Sequence, residues 1–134
     1  MLFRSFEKVS GDFQVNTGSG DIKANNVTIA GNSKFNTGSG NATVSLDAEL
    51  KSSISINSGS GDSKLQFNGT PISGEVVMTA NERSGEIIAP FKFDKEEIVD
   101  DGGNQKRMRK TAKLGNQSIS IRVGTGSGTA EITK

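Results

Sequence analysis

Polar and apolar positions alternate along this chain in short, repeated blocks. Phe13-Gln14-Val15, Ser33-Lys34-Phe35, Ile54-Ser55-Ile56 and Ile121-Arg122-Val123 each place a polar residue between two apolar or small ones. Ile22-Lys23-Ala24, Ala42-Thr43-Val44, Ser63-Lys64-Leu65 and Ala130-Glu131-Ile132 do the same. A period of two is that of a strand with one buried face. The blocks are joined by Asn16-Thr17-Gly18-Ser19-Gly20-Asp21, Asn36-Thr37-Gly38-Ser39-Gly40-Asn41, Asn57-Ser58-Gly59-Ser60-Gly61-Asp62 and Gly124-Thr125-Gly126-Ser127-Gly128-Thr129. These joints read as turns whose glycines supply positive φ.

The repeat decides between two architectures. Asn16, Asn36 and Asn57 lie 20 and then 21 residues apart. Equivalent positions keep their chemical type: Val15, Phe35, Ile56 and Val123 in one set, Ala24, Val44, Leu65 and Ile132 in another. A meander of hairpins needs complementary partners across strands. Stacked coils need alike partners, and an in-line Asn column can hydrogen-bond to itself. The expected fold is therefore all-β, a single-stranded parallel β-helix, or solenoid, with coils of about 20 residues. A weaker half-period, in Gly11-Asp12, Gly20-Asp21, Gly31-Asn32 and Gly40-Asn41, predicts two or three short strands per coil. Val27-Thr28-Ile29, Val44-Ser45-Leu46 and Leu65-Gln66-Phe67 are further strand candidates.

Residues 1–134 read as one domain in four parts. Residues 1–9, with Phe3, Phe6 and Val9, are an N-terminal cap or arm for the first coil. Residues 10–89 are regular coils, interrupted at Thr70-Pro71 and followed by a longer turn at Asn81-Glu82-Arg83. Residues 90–114 depart from the repeat. Asp94, Glu96, Glu97, Asp100 and Asp101 form one arm, Gly102-Gly103 the bend, and Lys106, Arg107, Arg109, Lys110 and Lys113 the other arm. This predicts an antiparallel hairpin excursion with cross-strand charge pairs, solvated and covering a face of the solenoid. Residues 115–134 form the last coil, expected to end uncapped and so open to end-to-end self-association.

Composition narrows the function. Hydrophobic residues make up 31% of the chain and aromatic ones 5%, which suits a thin solenoid with every second residue inward. A net charge of +1 gives no basic face for nucleic acid. No apolar run is long enough to span a membrane as a helix. Met1–Lys8 lacks the apolar core of a secretory signal, so an exported protein would carry that signal elsewhere. The chain has no His, Cys, Trp or Tyr. That removes the usual general base, thiol nucleophile and soft metal ligands.

The remaining candidates for chemistry are carboxylates. Asp12, Asp21 and Asp62 sit in turns, where Asp is expected for local backbone bonding, and Asn41 and Thr129 stand at the equivalent place in other copies. Calcium-binding rolls place an Asp in each turn at nine-residue spacing, which this chain does not keep. Gly-Ser-Gly is not followed by the helix and Lys of a phosphate cradle. Thr17, Thr37 and Thr125 align as in an ice-binding array, but Ser58 interrupts them. Asn26, Asn41, Asn68 and Asn116 begin Asn-x-Ser/Thr sequons, which a chain so rich in these residues explains without glycosylation. No catalytic, cofactor or metal residue is assigned and no cofactor is expected.

The repeated Asn-Thr-Gly-Ser-Gly-Asp/Asn turns, each followed by an alternating strand, resemble those of the bacterial putative-adhesin domains. These are β-helical domains of unknown function, similar in style to autotransporter-adhesin heads. The resemblance covers residues 10–89 and 115–134. It implies a right-handed parallel β-helix at the cell surface, in the periplasm or in the outer envelope, with an adhesive role toward a surface glycan or protein. On that reading the protein is not an enzyme, and it presents outward residues such as Gln14, Lys34, Ser55 and Arg122. A carbohydrate-active β-helix enzyme is the alternative, for which the outward Lys23, Thr43, Lys64 and Glu131 are too sparse a groove. A scaffold domain of a membrane-tethered regulator is another.

Overall fold

A computed structural model describes residues 3–7, 10–50, 52–69, 72–100, 106–115 and 118–133. All of its regular structure is β. In chain order the strands are β1 (Phe3–Glu7), β2 (Ser10–Gly11), β3 (Gln14–Thr17), β4 (Asp21–Ile29), β5 (Ser33–Thr37), β6 (Ala42–Leu46) and β7 (Ile54–Ser58). There follow β8 (Ser63–Gln66), β9 (Gly74–Asn81), β10 (Glu86–Ile88), β11 (Lys95–Asp100), β12 (Lys106–Leu114), β13 (Ser120–Thr125) and β14 (Thr129–Thr133). They form two sheets, ordered β1-β4-β6-β8-β14-β10 with β2 beside β4, and β11-β12-β9-β13-β7-β5-β3.

Each coil contributes one strand to each sheet, joined by a repeat turn. Consecutive coils pair parallel and in register. Val15 lies beside Phe35, Phe35 beside Ile56, Ile56 beside Val123, and Val123 beside Met78. On the other sheet Ala24, Val44, Leu65 and Ile132 line up in the same way. These columns are the core. Phe35, Ile56, Val123, Met78, Val44 and Leu65 have no exposed surface, and each such side chain contributes about 1.5–3 kcal/mol by its burial. Ala24, Ala42 and Ala130 are fully buried in the same core.

The Asn column forms as expected. Asn36 Nδ2 donates to Asn16 Oδ1 at 3.0 Å, and Asn57 Nδ2 donates to Asn36 Oδ1 at 3.2 Å. It stops at Gly124, where an added Cβ would lie 2.8 Å from Asn57 Oδ1 and 2.7 Å from Thr79 Oγ1.

The order of the coils corrects the expectation of one helix wound in chain order. The C-terminal coil, β13/β14, does not lie at the end. It sits between β7/β8 and β9/β10, pairing parallel with β7 and β9 in one sheet and with β8 and β10 in the other. The uncapped last coil is corrected by the same finding, since residues 118–133 are interior to the stack. The cause lies at the hairpin. β12 pairs antiparallel with β9, so β9 faces β12 on one side and β13 on the other.

Lys95–Asp100 and Lys106–Leu114 lie in the plane of the second sheet as its final strands, not over its face. β11 and β12 pair antiparallel, with Glu96 opposite Lys110 and Glu97 opposite Arg109. The bend at Asp101-Gly102-Gly103, like Val9, Thr70-Pro71 and Asn116, lies outside the described residues. Ile87 of β10, and Ala89, Phe91 and Phe93 after it, are half-buried against the core. At the other end β1 adds a parallel strand beside β4.

Candidate functional site

The repeat turns take up most of the polar groups singled out in the sequence. Thr17, Thr37, Ser58 and Thr125 form a column of hydroxyls, of which Thr37, Ser58 and Thr125 are buried. Each accepts from the backbone N–H three residues on: Gly20 to Thr17 at 3.3 Å, Gly40 to Thr37 at 3.2 Å, Gly61 to Ser58 at 2.9 Å and Gly128 to Thr125 at 3.1 Å. Three of the four also donate to a carbonyl of the preceding coil in the stack: Thr37 to Gly20 at 2.7 Å, Ser58 to Gly40 at 2.7 Å and Thr125 to Gly61 at 2.6 Å. The hydroxyl is what the position uses, so Ser serves as well as Thr. The Thr alignment is therefore inward, not the flat outward array of an ice-binding face.

The turn carboxylates have the same kind of task. Asp21 Oδ1 accepts from the Asn41 N–H, Asn41 Oδ1 from Asp62 N–H, and Asp62 Oδ1 from Thr129 N–H, each at 2.9 Å. The position needs an oxygen acceptor aimed at the next coil, which Asp and Asn supply alike. Among the described residues no three His, Cys, Asp or Glu gather as a metal would require. Asp12 is apart from this ladder and exposed. Asn26 and Asn68, exposed and at φ of 51° and 52°, make corners that Asn tolerates. Asn68 Nδ2 also donates to Leu46 O at 3.1 Å.

The glycines of the turns act differently from the expectation of positive φ. Among the described residues the glycines at positive φ are Gly11, Gly69, Gly74 and Gly115, all outside the Gly-x-Gly turns. What the repeat glycines permit is approach. A Cβ on Gly40 would run into Gly20 O, one on Gly61 into Gly40 O, and one on Gly128 into Gly61 O.

The outward residues on the β3-β5-β7-β13 face do come together. Gln14, Lys34, Ser55 and Arg122 are register partners in one row. Asp12, Asn32, Ser53 and Ser120 run alongside, and the two rows line a groove of about 560 Å³ crossing the coils. The second row is pinned by its own bonds: Ser53 N–H to Asn32 Oδ1 at 3.3 Å and Ser120 N–H to Ser53 Oγ at 3.0 Å. Phe13, whose ring centroid is 5.9 Å from that of Phe35, adds an apolar edge. Lys34 and Arg122 are exposed, and among the described residues neither has an ion-pair partner. They lie two strand steps apart with Ser55 between them, about 10 Å at the usual strand spacing. The sequence pointed to the first row. It missed the second, although the Gly31-Asn32 half-period marked its place.

The opposite sheet is less open. Lys64 Nζ lies 3.6 Å from Glu131 Oε1, so the acid of that face is tied to its neighbour. The hairpin carries its own pairs. Arg109 Nε and Nη2 both donate to Glu97 Oε1, at 2.8 and 2.6 Å, and Lys110 Nζ is 3.3 Å from Glu96 Oε1. The Arg109 hydrogen bond first, with the charges of Arg109 and Lys95, holds the Glu97 carboxyl below its ordinary pKa against desolvation.

The model of the family Toastrack DUF4097 matches residues 5–88. The chain belongs to the Toastrack DUF4097 family. No curated protein matches it. A crystal structure from Clostridium sporogenes, described as a putative cell adhesion protein, is similar in fold, with a TM-score of 0.52 at 18% identity. The similarity covers 92% of this chain and 55% of that one, so this chain spans about half the length of its structural neighbour. The Toastrack match takes in the three coils β3 to β8 and the β9/β10 coil. The hairpin and the inserted coil β13/β14 lie beyond it.

Proposed function

We propose that this Toastrack domain is a non-enzymatic binding module of the cell surface or envelope, and that the groove over β3, β5, β7 and β13 holds its ligand. The ligand is an extended surface glycan bearing acidic groups, laid along the stack axis. The observation that carries this reading is the Lys34–Ser55–Arg122 row: two unpaired cations on one rigid face with hydrogen-bonding groups between and beside them. A ligand crossing successive strands meets donors at a fixed spacing, without the ordering cost of a mobile loop. A non-enzymatic role is supported by the absence of His, Cys and Tyr from the chain, and by the engagement of Asp21 and Asp62 in the turn ladder. The adhesive wording used for the Clostridium protein supports the surface location. A right-handed winding is supported by the general rule for crossovers between parallel strands.

An array of glycans and host-matrix proteins, probed with the purified protein, tests the reading. Binding to uronic-acid glycans that weakens at least tenfold in Lys34→Ala and Arg122→Ala is expected. Binding that neither substitution affects overturns the groove, and a product released from any polysaccharide overturns the non-enzymatic role. Protection of the protein from protease added to intact cells counts against the surface location.

A further inference from the structure

The position of β13/β14 has a consequence for assembly. The chain makes β7/β8, passes over one coil position, and builds β9/β10 beyond it. It then makes the hairpin and returns to fill the slot with residues 120–133. Every side-chain bond tying this coil to the β7/β8 coil and its approach joins residues far apart in sequence. Ser63 Oγ donates to Gly124 O at 2.6 Å across 61 residues. Thr125 Oγ1 donates to Gly61 O across 64, and Thr129 N–H to Asp62 Oδ1 across 67. None of these depends on which chain supplies the coil. The coil also carries the whole repeat unit: an inward Ile121 and Val123, the Thr125 hydroxyl, the close-approach Gly126 and Gly128, and an inward Ala130 and Ile132.

The path into the slot is tight. Leu114 ends β12 beside Gly74, on one side of β9. The chain reappears on the other side of β9, where Ile119 O accepts from the Glu75 N–H at 2.9 Å. Only five residues, 115–119, link Leu114 to Ser120, which pair with opposite sides of β9. Two glycines stand at the close approaches. Gly74 has φ +131°, and a Cβ there would lie 2.8 Å from Ile119 O; Gly115 has φ +64°, and a Cβ there would lie 2.8 Å from Ser73 Cβ. A link this short between strands on opposite sides of β9 is the kind from which an element exchanges between copies.

We propose that the slot between β7/β8 and β9/β10 is an exchangeable docking site, and that a second copy of this chain fills it with its own residues 120–133. The product is a two-fold dimer in which each chain completes the other's stack, with residues 115–119 opened into the link between them. The claim is independent of what the groove binds.

Cross-slot linking tests it, because the chain has no Cys of its own. Lys64 and Glu131 are register partners on the outer face of β8 and β14, so replacing either leaves the core intact. Chains with Lys64→Cys and chains with Glu131→Cys are unfolded together, refolded at high concentration, and joined with a short thiol cross-linker. A mixed dimer in several-fold excess over either like-with-like dimer is expected. Deleting Asn116 and Gln117 from both chains should raise the mixed product further. Folded chains that give no excess of mixed dimer at any concentration overturn the proposal. So does a mixed product that also forms when both chains were folded before mixing and kept from unfolding. The double variant Lys64→Cys/Glu131→Cys, linked within one chain when diluted, fixes the register independently.

Discussion

The regular coils and the hairpin end are built from the same period-two strands, yet different bonds hold them. In the coils the specific contacts run between a side chain and the backbone of the next copy, as in Thr37 to Gly20 and Asn41 to Asp21. In the hairpin they run between exposed side chains, as in Arg109 to Glu97, with Lys110 also 5.6 Å from the Phe93 ring centroid. The first kind repeats, is screened from water in the hydroxyl column, and forces the turn sequence to repeat with it. The second needs only opposite charges at facing positions, so its sequence is free. Turn substitutions should therefore cost far more than hairpin substitutions.

The sharpest separation is between glycines that look alike in the sequence. Gly61→Ala drives a Cβ into the Gly40 carbonyl, which is backbone and cannot step aside. A loss of about 3 kcal/mol or more in urea unfolding is expected. Gly18 occupies an equivalent turn in the first coil, with nothing within 4 Å of an added Cβ. Gly18→Ala should stay within about 0.5 kcal/mol of the parent. Equal losses at the two sites would mean that the turns do not touch as described.

Next in size is the hydroxyl column. Thr37→Val keeps the shape but leaves the Gly20 carbonyl and the Gly40 N–H without their partner. About 2–3 kcal/mol should be lost. Thr37→Ser keeps both bonds and gives up one buried methyl, about 0.8 kcal/mol. The ratio of the two losses, read from unfolding midpoints, checks that the hydroxyl matters and the methyl does not.

A smaller effect follows from the order Asp21, Asn41, Asp62 up the ladder. Either residue type supplies the acceptor, but Asn between two Asp keeps carboxylates from sitting on adjacent coils. Asn41→Asp preserves the bond to the Asp62 N–H and introduces repulsion on both sides. A loss of about 0.5 kcal/mol at low salt is expected, fading as ionic strength rises. A loss that salt does not change would point to a broken bond instead of charge.

These residues also show what could be read without coordinates. The Asn16–Asn36–Asn57 column and the inward Val15–Phe35–Ile56–Val123 column were legible because stacking copies chemistry from coil to coil. The groove's first row was legible for the same reason. The place of β13/β14 was not. Its repeat signature says that it stacks on a coil like itself, and both β7/β8 and the far end would satisfy that. The choice depends on β12 pairing with β9, a long-range contact between strands of unlike composition. The role of the glycines was misread because a turn glycine suggests φ, while contact with the next turn leaves no local mark in the sequence.

The smallest effect belongs to the hairpin. Glu97→Gln removes the charge that Arg109 grips and keeps the side chain's length. The Glu97 pKa is lowered in the folded protein. Its pair therefore stabilises the fold at neutral pH, above the carboxylate's unfolded range, and that contribution disappears as pH falls through the lowered folded value. Both partners keep contact with solvent, so the difference between parent and Glu97→Gln should be less than that of the Gly61, Thr37 and Asn41 substitutions above. Urea midpoints at neutral pH and in acid decide it. A small neutral-pH difference that closes in acid is expected, whereas the Thr37→Val penalty, resting on neutral hydrogen bonds, should stay the same across that range. If the Glu97→Gln difference persisted in acid, the hairpin would be held by packing of the side-chain stem, and its contrast with the coils would be one of degree.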